Sequence, residues 1–432
     1  MKRLFVLVAL SLVLIIPFSA SAQMDNLANM SAKWIRSNVR NAALDGADLV
    51  NYNPAGLVKL SDGFHLSLNN QTLFRKPQHS FNIGMGAKSY EQDGADPFLP
   101  ALYAAFKKSK WAISTGIYVT GGGSTVNYTS GSLNTTLLGA QQLGKAPAFY
   151  TQLKDQSLKA SSYYLAVPVG FSYAISEKLS LSVGGRYIRG LNSTKAGLTL
   201  TTSAISAPDH AISVDYDNNA SGFGGIFGIN YAPTEKLNIA IHYETKVKLE
   251  FEAEGNSGNT VLAANGTKSR RDLPAVLYTG IHYKFTEKLS AGADFNYYFQ
   301  KNADWGKITD PRNGSTPEAA KVAGNCYTAN LGLFYQLSEK LQLSAGCKYT
   351  AFLYDDVELY YTKLGLYEAV KYNNFNVGLG AGYNVTKNVQ VDLGIGRTFW
   401  KDKTVNSLLA TGAPVKITDK GYVVALGIDI AF

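Results

Sequence analysis

The sequence predicts an all-β fold: a 14-stranded antiparallel transmembrane β-barrel, with a small helical segment ahead of the first strand held inside the lumen. Three observations carry this reading. A short Ser/Thr-Glu-Lys-Leu turn recurs along the chain. The segments beside it alternate between an apolar face and a small or polar face. The last segment, Tyr422-Val-Val-Ala-Leu-Gly-Ile-Asp-Ile-Ala-Phe432, carries Tyr422, Val424, Leu426, Ile428, Ile430 and Phe432 on one face and one acid among small residues on the other. Successive side chains of a strand point to opposite faces. An edge strand of a water-exposed sandwich alternates in the same way, so the whole chain has to decide.

The amino-terminal residues read as a secretory signal over 1–22. Lys2-Arg3 is a basic start, Leu4 to Phe18 an apolar run, and Ala20-Ser21-Ala22 a small-residue cleavage site. The run is about 15 residues, short of the roughly 20 that a spanning helix needs. Later apolar runs are broken within a few residues, and mean hydropathy is −0.07. Barrels average this way because lipid-facing and lumen-facing residues cancel. The chain has 27 Tyr, 20 Phe and 41 Gly against 2 Cys and 4 Met, a β-rich, exported composition.

Residues 23–60 do not alternate. Leu27, Met30, Trp34 and Ile35 fall roughly on one face of one or two short helices, and Pro54-Ala-Gly sets a turn. The segment is too apolar for a free tail, and a plug folded inside the barrel suits it. Residues 61–432 form the barrel. The repeat appears as Ser176-Glu-Lys-Leu, Thr234-Glu-Lys-Leu, Thr286-Glu-Lys-Leu and Ser338-Glu-Lys-Leu, loosely as Thr386-Lys-Asn-Val, with Lys107-Lys-Ser-Lys before Trp111. A period of about 50 residues also fits a solenoid or propeller. Each unit, however, holds a strand, a long variable segment, a second strand and a tight turn. Short turns on one side and long loops on the other mark bacterial outer-membrane barrels. Six turns join twelve strands, and one more at each end makes fourteen. The strands are expected at 63–74, 98–107, 111–121, 163–175, 179–190, 221–231, 237–252, 273–285, 289–300, 326–337, 341–352, 373–385, 389–400 and 421–432. Phe81 to Lys88, also strand-like, is read as an extension into the first outer loop. Cys326 and Cys347 lie at mismatched distances from their turn and on opposite faces, which predicts two free thiols.

At this point a resemblance enters. Asp45-Gly-Ala-Asp-Leu-Val-Asn-Tyr-Asn-Pro-Ala-Gly-Leu57, followed by Gly63-Phe-His-Leu-Ser-Leu68, resembles the FadL/TodX-type outer-membrane transporters of long-chain fatty acids and other hydrophobic compounds. Asn53, Pro54 and Ala55 match that family's N-terminal hatch motif. The resemblance implies a barrel in the bacterial outer membrane closed by the hatch. It also implies a greasy capture site in the outer loops, a pocket lined by the N-terminus and a kinked strand that opens sideways into the membrane. The family places that opening at the third strand, which nominates Gly116 and Gly121. Pro168, which removes a ladder donor from strand four, is a further candidate. An acyl chain costs about 0.8 kcal/mol per CH₂ to bring into water, so a dry path with a side exit suits such a cargo.

The second outer loop, Gly122 to Ser162, carries Leu137, Leu138, Phe149 and Tyr150 among other apolar residues. It suits either a capture patch or a loop packed on its own core. Trp34, Ile35, Leu27 and Met30 suit either ligand contact or packing of plug on wall. The formal charge of +9 is dispersed, with no nucleic-acid motif, and fits solvated loops that touch acidic lipid or lipopolysaccharide. His242 and His282 are expected to face the lumen, within reach of Glu244 and Lys284. No catalytic motif, metal-ligand spacing, phosphate loop or energy-coupling box is present, so the expected protein is a passive, cofactor-free monomer and not an enzyme. The alternative function is a porin-like diffusion channel for small polar solutes.

Overall fold

The computed structural model describes residues 31–202, 208–255, 265–364, 367–368, 371–409 and 412–432. The expected signal segment, with Leu27 and Met30, lies outside them. A helix α1 (Ala32–Ser37), a single turn α2 (Leu49–Tyr52) and a 3₁₀ turn (Pro54–Lys59) precede the strands. Then come β1 (Gly63–Arg75), β2 (Gln78–Asn82), β3 (Ala87–Glu91), β4 (Asp96–Lys108) and β5 (Trp111–Tyr128), helix α3 (Leu133–Lys145), β6 (Gln152–Ala174), β7 (Leu179–Thr201), β8 (His210–Tyr231), β9 (Leu237–Glu244), β10 (Glu250–Gly255), β11 (Lys268–Arg270), β12 (Val276–Lys284) and β13 (Leu289–Tyr298). The chain continues through helix α4 (Ala319–Ala323), β14 (Asn325–Gln336), β15 (Leu341–Leu353), helix α5 (Val357–Lys363), β16 (Asn374–Asn384), β17 (Val389–Trp400), β18 (Lys403–Ser407), β19 (Ala413–Thr418) and β20 (Lys420–Ala431).

Fourteen strand positions close a ring: β1, β4 to β9, β12 to β17 and β20, each antiparallel to the next. The seam is β1 against β20, in register from His65↔Ala431 to Arg75↔Gly421. Closure leaves no edge facing lipid. The turn repeat has a local cause. In Ser176-Glu-Lys-Leu, the Ser176 hydroxyl accepts from the amides of Lys178 and Leu179. Thr234 and Thr286 do the same for their own turns, at 3.0 to 3.3 Å. A Ser or Thr at that position satisfies two amides that the turn would otherwise leave open.

Outward faces carry the apolar load, as at Leu331, Leu333, Leu379, Leu393, Ile395 and Leu426, all strongly exposed. Inward faces carry buried polar groups such as Asn69, Asn230, Asn238, Asp294, Asn330 and Asp392. Cys326 is buried on the inward face, Cys347 lies five register positions away on the opposite face, and both are free.

Three expectations are corrected. First, β6, β7 and β8 are much taller than expected, and the second outer loop shrinks to the stretch between Tyr128 and Gln152, mostly helix. Above the membrane the faces invert: Leu158, Leu198, Leu200, Ile212 and Val214 are buried inside while Lys159 and Lys195 point out. Water, not lipid, bathes the outside there. Second, Phe81 to Lys88 is no simple extension: β2 and β3 pair with each other and with β19 and β18 in a separate four-stranded sheet. Third, the strand expected at 237–252 is broken. β9 and β10 both pair with β8, from Ile226↔Glu244 below and Asn219↔Glu252 above. Between these pairs six residues on β8 thus face seven on its partner, and the surplus buckles inward, burying Val247 and Leu249 completely. Gly222 makes room, since a Cβ there would lie 2.3 Å from the Lys248 carbonyl oxygen.

Candidate functional site

The hatch is docked by polar groups on almost every strand around it. Asn53 is the pivot of the expected motif. Its side-chain oxygen accepts from Gly56 N (3.2 Å), and its amide donates to the Ala43 carbonyl (2.9 Å) and to Asn230 of β8 (2.8 Å). Pro54 opens the 3₁₀ turn, where its missing N–H costs nothing, and its carbonyl accepts from the Ser172 hydroxyl at 2.8 Å. The Ala55 carbonyl accepts from Ser180 at 2.7 Å. The methyl of Ala55 is fully buried, and a Cβ added at Gly228 would lie 3.5 Å from it. Asn-Pro-Ala is therefore a turn whose exposed carbonyls and small side chain fit the β6–β8 wall.

Helix α1 meets the opposite wall. Ser31 caps it, accepting from Trp34 N and donating to Asp48 at 2.6 Å. Arg36 pairs with Asp392 of β17 at 3.0 Å, with both side chains almost fully buried. Arg36 also donates to Ser344 and Gln342 at 2.8 Å each. Lys33 pairs with Asp429 of β20 at 3.1 Å, and Arg40 with Asp48 at 2.5 Å and Asp45 at 2.6 Å. The Asp294 carboxylate of β13 accepts from the amides of Arg40 and Asn41 at 2.7 and 3.0 Å. Buried charge is costly unless paired, and here each of these basic groups meets a carboxylate.

A belt of glycines lets the hatch backbone approach. Gly292, Gly332, Gly346, Gly378 and Gly396 sit side by side on β13 to β17. A Cβ at Gly346 would lie 1.8 Å from the Ser37 carbonyl oxygen, and one at Gly378 2.1 Å from that of Ile35.

Elsewhere the wall loosens. The β4–β5 ladder stops at Leu102↔Ile117. Beyond it, β4 continues to pair with β1, and among the described residues the β4–β5 register does not resume; farther up, the Asp96 carboxylate accepts from Thr125 N at 3.0 Å. On the other side of β5, Gly116 and Ile117 are unpaired opposite Val167 and Pro168, and the register slips between Val119 and Gly121 and again after Gly122. All three sequence candidates, Gly116, Gly121 and Pro168, thus border one poorly paired strand. Gly122, not singled out from sequence, adopts a left-handed φ of 70° there. Directly behind the gap lies an apolar cluster of Trp34, Ile35, Tyr52, Leu73, Leu99, Val119 and Val423, with Tyr163 and Leu165 against it. In front, Phe98 is 71% exposed, beside a cavity of about 370 Å³ bordered by Leu99 and Tyr163 together with Asp96, Thr125 and Lys159.

Over the barrel, α3, α5 and the four-stranded sheet form a cap that shares a hydrophobic core with the tall strands, including Tyr128, Leu133, Leu138, Tyr361 and Val415. Leu138 is buried, Leu137 and Tyr150 are half-buried against that core, and Phe149 is 60% exposed. Of the four, Phe149 alone presents a bare apolar face. Two buried groups bind the N-terminus of α3. His79 Nε2 accepts from Leu133 N at 2.9 Å, and Glu368 accepts from Asn134 Nδ2 at 2.8 Å. Burial pushes the His79 imidazole down to about 3 and pushes the Glu368 carboxyl up against its hydrogen bonds from Ser132 and Asn134.

Sequence reasoning missed the lumen between hatch and cap. Tyr103, Tyr118, Tyr164 and Tyr298 are buried there in one cluster with Leu49 and Leu57 of the hatch. Arg186 and Glu244 form a fully buried ion pair at 2.5 Å, and the Tyr278 hydroxyl donates to the same carboxylate at 3.3 Å. His242 lies 3.8 Å from Glu244, as expected. His282 sits against Phe334, while Lys284 is exposed.

The family model described as outer membrane protein transport protein (OMPP1/FadL/TodX) matches residues 14–432. The chain belongs to that family. It is an outer-membrane β-barrel of a group made of transport proteins. Outer membrane protein P1 of Haemophilus influenzae is 28% identical over 211 residues, 45% of this chain and 39% of that protein. A second P1 protein from the same species is 26% identical, over 52% of this chain and 53% of its own. The chain thus spans about half the length of the curated relatives it matches, or less. Among solved structures, a Pseudomonas aeruginosa FadL homologue superposes with a TM-score of 0.67 at 16% identity, covering 95% of this chain and 100% of that one. The Ralstonia pickettii toluene transporter TbuX gives 0.61 at 16%, covering 94% and 99%. At such identities these likenesses speak for the fold alone.

Proposed function

We propose that the protein takes up hydrophobic small molecules, long-chain fatty acids or hydrocarbons, passively across the outer membrane. Cargo is captured at the cap, passes into a pocket walled by the hatch and leaves sideways between β4 and β5. One observation carries this reading: the unpaired stretch of the wall is backed by the apolar cluster that includes Trp34, Ile35 and Tyr52 of the hatch. An apolar interior thus lies behind the gap, with the exposed Phe98 beside its mouth. A ligand displaces the hatch only by binding the displaced state better, so capture and opening are coupled through that cluster. The toluene transporters TbuX and TodX share the fold, which is consistent with an aromatic cargo as well as an acyl one. The docking of the hatch to the wall weighs against the porin-like alternative.

The test is uptake of radiolabelled oleate, and separately toluene, by cells lacking their own transporter and expressing this chain, beside a variant without residues 23–42. The reading expects uptake that requires the chain, and leakage of small sugars only once the segment is gone. Free sugar passage through the intact chain would overturn it.

A further inference from the structure

The lipid-facing wall away from the gap carries a second feature, independent of what the lumen carries. On β16, β17, β20 and β1 the outward side chains fall into rows by register. Val377, Arg397, Tyr422 and Phe74 form one row, since Val377↔Arg397, Arg397↔Tyr422 and Phe74↔Tyr422 are partners. Above it, Phe399 faces Lys420, whose carbonyl accepts from Lys76 N. Below it lie Leu379 and Ile395. These rows line a groove of about 770 Å³ on the outer wall.

Its depth in the membrane follows from the turn. Arg397 lies eight residues above Val389, the first residue of β17. At about 3.3 Å per residue and a tilt near 40°, that is roughly 20 Å above the short-turn side, close to the top of an apolar band about 25 Å tall. Arg397 therefore sits at the outer-leaflet interface. Its guanidinium lies 4.9 Å from the Phe399 ring centroid, and the Phe74 and Tyr422 rings stack at 4.6 Å beside it. Arg397 and Lys420 are diagonal neighbours across the β17–β20 ladder, which places their Cα atoms about 7–8 Å apart. The other cations here have acidic partners, Arg75 with Asp96 and the exposed Lys76 with Glu91. Among the described residues, Arg397 and Lys420 form no ion pair. Two unpaired cations above a groove floored by Leu379, Ile395 and Tyr422 match an anionic headgroup whose chains run down the wall.

We propose that this groove is a binding site for one phosphorylated, multiply acylated lipid of the outer leaflet, with Arg397 and Lys420 on its phosphate and the Leu379–Ile395–Tyr422 surface along its acyl chains. The probe is bisphosphorylated hexa-acyl lipid A, added to the detergent-purified full chain and counted as bound mass by native mass spectrometry. Wild type should hold one copy. The pair Arg397→Ala/Lys420→Ala should lower affinity about 10- to 30-fold. The pair Lys159→Ala/Lys195→Ala removes the same charge from the cap strands and should leave affinity unchanged. Lipid A stripped of both phosphates, tested on wild type and so free of any folding defect, should bind as weakly as lipid A binds the first pair. Inorganic phosphate alone should not compete at equal concentration. Equal binding by Arg397→Ala/Lys420→Ala, or by the dephosphorylated lipid, would overturn the proposal.

Discussion

The wall from β13 to β17 and the wall around β5 are built from the same alternating strands, yet only the first is hydrogen-bonded along its whole height. From β13 to β17 every register runs unbroken, and the inward face is a glycine belt with paired acids. Around β5 the ladder stops at Leu102↔Ile117 on one side and slips twice on the other, and the inward face there is apolar. The difference is one of division of labour. A rigid wall with bare backbone seats the plug, while a wall that forgoes ladder bonds leaves a seam. Burying apolar groups behind that seam keeps water from entering it.

The largest effect should come from the seat. Gly346→Leu places a side chain where Ser37 already lies. Overpacking typically costs about 1–3 kcal/mol, and a backbone clash lies at the upper end. We expect the barrel to fold and the hatch to undock, with sugar leakage rising at least about tenfold in a liposome-swelling assay. Next, Asp294→Ala leaves the buried amides of Arg40 and Asn41 without their acceptor, at about 1–3 kcal/mol for each unsatisfied group. Leakage should rise less than for Gly346→Leu, without loss of barrel stability. Leakage unchanged in both variants would mean that the seat does not hold the plug.

A third prediction separates cap from wall. His79 titrates near 6.5 when exposed and at about 3 in the folded cap. A lowered histidine pKa gives stability that is complete above pH 6.5 and lost as pH falls toward 3. Glu368, pushed up, acts with the opposite sign. Hydrogen exchange of α3 amides should therefore accelerate between pH 7 and 4 in wild type relative to His79→Gln, with barrel amides unaffected. The smallest effect should be Thr286→Ala, which removes the acceptor for Lys288 and Leu289 at an exposed turn. It should cost about 0.5–1 kcal/mol in urea unfolding and change no transport.

The same contrast explains how much was legible in the sequence. Turns such as Thr286-Glu-Lys-Leu have a local cause and could be read directly, as could strands whose outward face meets lipid. β7 beyond Gly190 was not, because its apolar side switches from outside to inside where lipid gives way to water, and a phase change reads like a strand end. The break after Glu244 depends on one surplus residue against Gly222, which only the partner strand reveals. At the site, Asn53-Pro54-Ala55 was visible as a motif. The Arg36–Asp392 and Lys33–Asp429 pairs were not, although the lone Asp429 on a small-residue face and three basic residues in an apolar segment were their signal. Gly116, Gly121 and Pro168 flagged β5 individually; only the register joins them into one seam.

The central claim is the side exit between β4 and β5. Continuing the register of Leu102↔Ile117 places Leu99 opposite Thr120. A Leu99→Cys/Thr120→Cys pair, made with Cys326→Ser/Cys347→Ser to leave no other thiol, closes the seam when oxidised. The account predicts that labelled oleate and toluene uptake falls at least about tenfold on oxidation and returns with dithiothreitol, a change of about 1.4 kcal/mol or more in effective access. Full uptake through the oxidised, bridged protein would contradict it.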